Sequence, residues 1–292
     1  MHNNIQMLKK LTLYSFALLG ILVLLNSCKK DYETIESIDD AKIQAYIKKN
    51  NLTMTKDPSG FYYQVLTAGT GAPLANKDSV FYTLSVKSLD GTSYYNTPSY
   101  GNEGTYVGYA FPSSYRIALL GANRGSTVRV ILPSYLAYGK NGNSTVPSNE
   151  VIVSQLTTYT EDKQWLIDDK KILSFLAAKG LTAIKSTNRV YYKVNELGTG
   201  TSIDLGSTVT VKYTGRLLDG TVFDQVTGDQ TFASTIVGGG LIKGWEVLLG
   251  MQKGSKVRIF IPSDLAYGTA GSTSIPTNSI LDFDIEIVDV TN

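Results

Sequence analysis

A set of short words in this 292-residue chain occurs twice at one fixed interval. Tyr62-Tyr63 recurs as Tyr191-Tyr192, Gly69-Thr70-Gly71 as Gly198-Thr199-Gly200, and Asp90-Gly91-Thr92 as Asp219-Gly220-Thr221. Leu136-Ala137-Tyr138-Gly139 recurs as Leu265-Ala266-Tyr267-Gly268. Each pair lies 129 residues apart, without drift, and the register runs upstream through Asp39-Asp40 with Asp168-Asp169 and Leu52 with Leu181. An interval held this strictly leaves no net insertion in either copy, so both copies are expected to carry the same elements in the same order. The length suits two domains of ordinary size. The repeated stretch covers residues 36–160 and 165–290.

Each copy reads as a short helix followed by strands. In the second, Trp165, Ile172 and Leu176 form one apolar stripe, with Leu166, Leu173 and Ala177 beside it, and Gly180 stands where a glycine cap ends a helix. This amphipathic helix is expected to pack on its own domain, the alternative being a dimer contact. Period-two alternation follows. Val209, Val211 and Tyr213 alternate with Thr208, Thr210 and Lys212; Val257, Ile259 and Ile261 with Lys256, Arg258 and Phe260; Phe283, Ile285 and Ile287 with Asp282, Asp284 and Glu286. Asp219-Gly220 marks a turn, and Trp245 to Leu249, between Gly244 and Gly250, has the length of a one- to two-turn helix. Strands with one short helix make an α+β domain.

The N-terminus reads as a processing signal. Lys9 and Lys10 precede an apolar run from Leu11 to Leu25, too short to span a bilayer comfortably and the right size for a signal peptide over residues 1–27. Leu25-Asn26-Ser27-Cys28 resembles a bacterial lipobox. Cys28 is the only cysteine, and acylation there would explain a lone thiol in an exported chain. Residues 28–35 are then a lipidated tether, with Lys29-Lys30-Asp31-Tyr32-Glu33 either a surface-export signal or simple solvated chain. These features place the mature protein in the envelope of a Gram-negative bacterium, at the outer membrane. Of 27 basic residues, Lys9 and Lys10 precede Cys28, and the 25 that remain balance 25 acidic ones. A neutral mature chain is not expected to bind nucleic acid. His2, the only histidine, leaves with the signal, so no Ser-His-Asp triad, Cys-His dyad or histidine-based metal site is expected.

Three runs in the second copy, VTVKYTGRLLDGTVFD, GGGLIKGWEVLLGMQKGSKVRIFIPSDLAYG and SIPTNSILDFDIEIVDV, resemble an FKBP-type peptidyl-prolyl cis/trans isomerase domain across its whole length. The resemblance implies two tandem FKBP-like domains, 36–160 and 161–292, each a curved antiparallel sheet wrapped around a short helix. It also implies the site. Trp245 is the pocket floor, Tyr213, Phe223 and Phe283 are walls, and Phe232 closes one side. Leu241 and Ile242 line the entrance, with Ile275 opposite. Asp224 points into the rim, and Tyr267 offers its hydroxyl to a substrate carbonyl. Asp224, Tyr267 and Trp245 are the residues on which catalysis is expected to rest. No cofactor or metal is implied, because the reaction only rotates an X-Pro bond. Two departures from the family pattern are the loop Gly268 to Ile275, one residue shorter, and Gly238-Gly239-Gly240, which replaces a mixed segment.

Shifting each site position back by 129 shows how the first copy differs. Trp245 becomes Arg116, Asp224 becomes Tyr95, Phe283 becomes Ser154 and Tyr213 becomes Leu84, while Tyr138 keeps the identity of Tyr267. Ile242 becomes Ser113, Leu241 becomes Pro112, Phe223 becomes Tyr94 and Ile275 becomes Val146. Without floor aromatic or carboxylate, residues 36–160 are expected to be a degenerate, inactive copy. Arg116 on a former floor must either turn outward or mark a pocket remade for an acidic group. The tyrosine-rich stretch 94–115 either binds unfolded chain or glycan, or serves its own domain. The leading reading is therefore a lipid-anchored isomerase acting on X-Pro segments of exported proteins. Its rivals are a non-catalytic module for a protein partner or proline-containing segment, and a structural part of a surface or motility complex.

Overall fold

The computed structural model describes residues 33–238 and 240–292. The signal segment 1–27, the lipidation site Cys28 and the tether up to Tyr32 lie outside the described residues. No helix among the described residues is long and apolar enough to cross a membrane.

The first copy opens with helix α1 (Ile35–Lys49) and continues with β1 (Thr55–Lys56), β2 (Tyr62–Thr67), β3 (Ser79–Ser88), β4 (Ser93–Asn96), β5 (Glu103–Tyr106), α2 (Ser113–Leu119), β6 (Thr127–Leu132) and β7 (Ile152–Thr158). The second runs α3 (Gln164–Lys179), β8 (Ile184–Lys185), β9 (Tyr191–Glu196), β10 (Thr208–Leu217), β11 (Val222–Val226) and β12 (Phe232–Thr235). A 3-10 helix (Lys243–Leu248), β13 (Lys256–Ile261) and β14 (Leu281–Thr291) complete it. Each copy builds a seven-stranded antiparallel sheet, ordered β1-β2-β6-β7-β3-β4 with β5 on β3, and β8-β9-β13-β14-β10-β11 with β12 on β10. The two orders are the same order. This is the expected α+β architecture, twice. Contacts divide the chain after Ile38, and both sheets fall in the unit Asp39–Asn292.

Each sheet is covered on both faces. The inner face carries the main core, where Val209, Val211, Val257, Ile259, Ile285 and Ile287 pack with Trp245 and Leu248 of the 3-10 helix. The outer face of the second sheet lies under α3, where Ile172, Phe175 and Leu176 meet Tyr191 and Phe260. Phe260, expected among the outward polar positions of β13, is therefore buried, since a strand packed on both faces has no solvent side. The equivalent Ile131 is buried with Ile43 of α1 and Tyr62 in the first copy.

The helix face differs from the expected stripe. Ile167, Asp168, Ile172, Phe175 and Leu176 are buried, while Trp165, Leu173 and Ala177 are exposed. At 100° per residue the buried face centres on Asp168, which apolar spacing treats as a polar edge. Asp168 is tolerated there because the Ser263 N–H and hydroxyl donate to one carboxylate oxygen at 2.8 and 2.7 Å. Asp39 receives the same pair from Ser134 at 2.8 and 2.6 Å. Their neighbours repeat as well: Asp40 accepts from Tyr62 and Lys56, and Asp169 from Tyr191 and Lys185. The repeated Asp-Asp pair is thus the clasp that fixes each helix to its sheet. Gly180 ends α3 with φ 62°, the left-handed conformation for which glycine is favoured.

The copies also touch. Buried Asn102 exchanges amide hydrogen bonds with Gln164 at 2.8 and 3.1 Å. Lys171 donates to the carbonyls of Tyr100 and Gly101 and to Asn102 Oδ1, all within 3.0 Å. Asn278 donates to the Asn102 carbonyl at 2.9 Å. Helix α3 therefore holds its own sheet with one face and the loop before β5 with its flank.

Candidate active site

At one end of the second inner core the aromatic packing stops short of filling the space. Tyr213 enters from β10, Phe223 and Asp224 from β11, Phe232 from β12, Trp245 from the 3-10 helix and Phe283 from β14. Trp245 is 3% exposed and lies edge-on to Tyr213 at 5.6 Å and to Phe283 at 5.5 Å between ring centroids. Phe223 stands at 5.5 Å from Phe283, and Phe232 at 6.0 Å from Tyr213, both near-perpendicular. Edge-to-face contacts of this kind favour packing beyond simple burial and hold each ring in one orientation.

The result is a pocket of about 210 Å³ lined by these rings with Leu241, Ile242, Gly240, Asp224 and Tyr267. It is smaller than drug-sized cavities, which run ~300–1,000 Å³, and suits one small apolar ring. A larger groove of about 540 Å³ nearby is lined by Lys212, Lys256, Asp284 and Glu286 with Tyr213, Val257 and Ile285, and Tyr213 is its one aromatic lining residue among the described residues.

Among the described residues, three side chains bring a hydroxyl or carboxylate to the aromatic pocket: Tyr213, Asp224 and Tyr267. The Tyr213 hydroxyl donates to Asp224 at 2.6 Å, which aims that carboxylate at the mouth. Burial, then the hydrogen bond to Asp224, push the Tyr213 phenol well above the usual tyrosine range, so it stays a donor. Tyr267 is 41% exposed at the edge.

Nine of the ten expected site residues line this pocket. Ile275 does not. Its N–H bonds to Ser272 O and its carbonyl accepts from Ser272 N, a tight turn that directs it inward, and it is 3% exposed in the core. The residue pattern alone also missed Gly215. A Cβ there would lie 2.7 Å from both Phe223 Cζ and Phe283 Cε1, so the bare strand is what lets the two rings meet. A glycine inside a strand is the signal that was available, since it often marks a close approach.

The first copy differs from the shifted register at its floor. Arg116 is partly exposed and outside the corresponding cavity, whereas Tyr115 is buried with its hydroxyl 2.6 Å from Ser154 Oγ. Helix α2 is an α-helix where the second copy has a 3-10 helix, and the change of pitch rotates the inward position back by one residue. The remaining pocket there, about 430 Å³, is lined by tyrosines and Glu103.

Residues 200–288, wholly within the second copy, match the family model of the FKBP-type peptidyl-prolyl cis-trans isomerase. The second copy belongs to this family. The FKBP-type peptidyl-prolyl cis-trans isomerase FkpA of Aeromonas hydrophila is 39% identical over 139 residues, 47% of this chain and 52% of that one. FK506-binding protein 4 of Chaetomium thermophilum is 39% identical over 108 residues, 37% of this chain and 22% of the relative. Among solved structures, FkpA from Escherichia coli aligns with a TM-score of 0.38 and 36% identity over 42% of this chain and 57% of that chain. The three FKBP domains of wheat FKBP73 align with a TM-score of 0.36 and 22% identity over 82% and 99%. The chain spans about half the length, or less, of these curated relatives.

Proposed function

We propose that residues 161–292 catalyse cis/trans isomerisation of X-Pro bonds in exported proteins, and that residues 36–160 form an accessory domain without that activity. The observation that carries this reading is the aromatic box of Tyr213, Phe223, Trp245 and Phe283, with one aimed carboxylate, inside a segment that belongs to the isomerase family. The barrier to rotation, ~18–20 kcal/mol, comes from amide resonance. Water solvates the planar, charge-separated amide better than the twisted one. A dry aromatic pocket removes that preference, so twisting costs less inside it.

In this mechanism the prolyl ring sits on Trp245 between Tyr213 and Phe283, with Leu241 and Ile242 at the lip. The Asp224 carboxylate, held by the Tyr213 hydroxyl, favours the twisted amide through its electrostatic field. The Tyr267 hydroxyl donates to a substrate carbonyl and holds the chain on one side of the bond while the other side turns. No nucleophile takes part. We further propose that the chain is anchored in a Gram-negative envelope, at the outer membrane, through acylated Cys28.

The test is the exchange rate of a short Phe-Pro peptide measured by NMR with the full chain. Acceleration is expected, with Trp245→Leu abolishing it. Asp224→Asn should lower it by about tenfold, ~1.4 kcal/mol, less than the ~100- to 1,000-fold of a buried preorganised contact because Asp224 is exposed at the mouth, while peptide affinity changes little. No acceleration by the full chain, with the peptide still bound, would move the function to binding alone.

A further inference from the structure

The pocket of the first copy has been rebuilt rather than erased. Glu103 occupies the position of Phe232, and Tyr95 the position of Asp224, 129 residues apart in each case. A tyrosine–carboxylate pair is therefore re-formed from other positions: Tyr95, at the place of Asp224, donates its hydroxyl to Glu103, at the place of Phe232, as Tyr213 does to Asp224. The cavity of about 430 Å³ sets Tyr94, Tyr95, Tyr138 and Glu103 over Leu84 and Val146. Its rim is open, with Tyr95 40% and Tyr138 41% exposed.

The carboxylate lacks a cation. Both hydroxyls that reach Glu103, from Tyr95 and from Thr97 at 3.4 Å, go to Oε1, and Oε2 accepts no hydrogen bond among the described residues. None of the ion pairs among the described residues includes Glu103. Arg116, the cation that the 129-residue register brings to this site, does not line it. The Glu103 charge adds to burial in raising the phenols of Tyr95 and Tyr82 to about 12. A half-buried, uncompensated carboxylate beside tyrosine rings matches the recognition chemistry of a guanidinium or ammonium group. Ring faces attract the cation, and the free oxygen takes a charge-assisted hydrogen bond. The site does not suit proline, because Leu84 and the hydrogen-bonded Tyr115–Ser154 pair replace the aromatic box.

We propose that this pocket binds an arginine or lysine side chain of a polypeptide, with Glu103 Oε2 taking the charge and Tyr94, Tyr95 and Tyr138 enclosing the stem. The proposal stands whether or not the second copy turns over X-Pro bonds.

The test uses the full chain with its tyrosine rings isotopically labelled, titrated with N-acetylarginine methylamide and, separately, with the neutral isostere N-acetylcitrulline methylamide. Saturable shifts are expected at Tyr94, Tyr95 and Tyr138, with the arginine probe binding at least about tenfold tighter, the scale of one hydrogen bond to a charged group. Glu103→Gln, which keeps an acceptor for Tyr95, should remove that discrimination while Tyr115 retains its native signal. Equal binding of both probes, undiminished arginine binding by Glu103→Gln, shifts at Tyr213 and Tyr267 in place of these rings, or no saturable shift would each overturn the proposal.

Discussion

Gly215 is a residue through which the second pocket can be closed without substituting any of its lining side chains. A Cβ at this position would lie 2.7 Å from Phe223 Cζ, 2.7 Å from Phe283 Cε1 and 2.9 Å from Phe223 Cε2. Carbon pairs rest at ~3.5–4.0 Å, so both rings must retreat by about 1 Å. There is little room to do so: Phe283 already packs at 5.5 Å against both Phe223 and Trp245. The backbone does not need glycine for its conformation, because no positive φ occurs here. Overpacking costs about 1–3 kcal/mol, offset by ~0.5–1 kcal/mol for replacing a strand glycine. Gly215→Ala should therefore be near neutral to ~1 kcal/mol destabilising and Gly215→Val about 1–2 kcal/mol. The valine variant should lower the unfolding temperature by roughly 3–8 °C for a domain of this size. Catalysis should fall further than stability. Displaced rings and two added methyl groups fill the mouth, and a tenfold loss in kcat/KM, or ~1.4 kcal/mol, is expected for valine. The assay pairs thermal unfolding with peptide exchange for wild type, alanine and valine. A valine variant that is destabilised yet fully active would refute the assignment of Phe223 and Phe283 as pocket walls.

Two further outcomes follow from the clasp and from the contact between the copies. Asp168→Ala leaves the Ser263 N–H and hydroxyl unpaired in a buried place, which costs about 2–4 kcal/mol; Asp39→Ala should cost a similar amount in the first copy, and denaturant unfolding of the two variants checks the symmetry. Burial holds the Lys171 ammonium down to about 8, below its ordinary 10.5. The native state then releases its proton before the unfolded chain does, so stability should rise between about pH 8 and pH 10. The raised phenols of Tyr82 and Tyr95 act in the opposite direction only above pH 10, and Lys171→Met should flatten the slope in urea midpoints measured at pH 7.5 and 9.5.

What could be read from the residues depended on whether they follow a period. The 129-residue register survives because both sheets have one topology, and the aromatic box is visible because its rings stand at family positions. Asp168 and Asp39 were legible as a repeat and illegible as core, since a carboxylate at the centre of a buried helix face contradicts any apolar stripe until its serine partner is known. Phe260 and Ile131 looked outward for a related reason: alternation assumes one wet face, and helices α3 and α1 remove it. The exchange of Arg116 for Tyr115 at the floor required knowing which type of helix forms, a difference of about 20° per residue that the spacing of so short a segment does not resolve.

The two pockets show what a duplicated scaffold must preserve and what it can give up. The clasps Asp39–Ser134 and Asp168–Ser263 work on the outer side of each sheet, where the helix docks, and both copies keep them. The pocket lies at the end of the inner core, so its residues also fill space, and deleting Trp245 or Phe283 without replacement would leave a cavity costing several kcal/mol. The first copy meets that requirement differently. Serine stands in place of Phe283, and the Tyr115 ring occupies the floor with its hydroxyl on that same serine. A filled floor moves the remaining hollow toward the rim. There the side chains contribute little to folding and are free to change, and Glu103 and Tyr95 are found in it. The Tyr115 floor and the rim hollow that holds Tyr95 and Glu103 are thus two results of a single packing change.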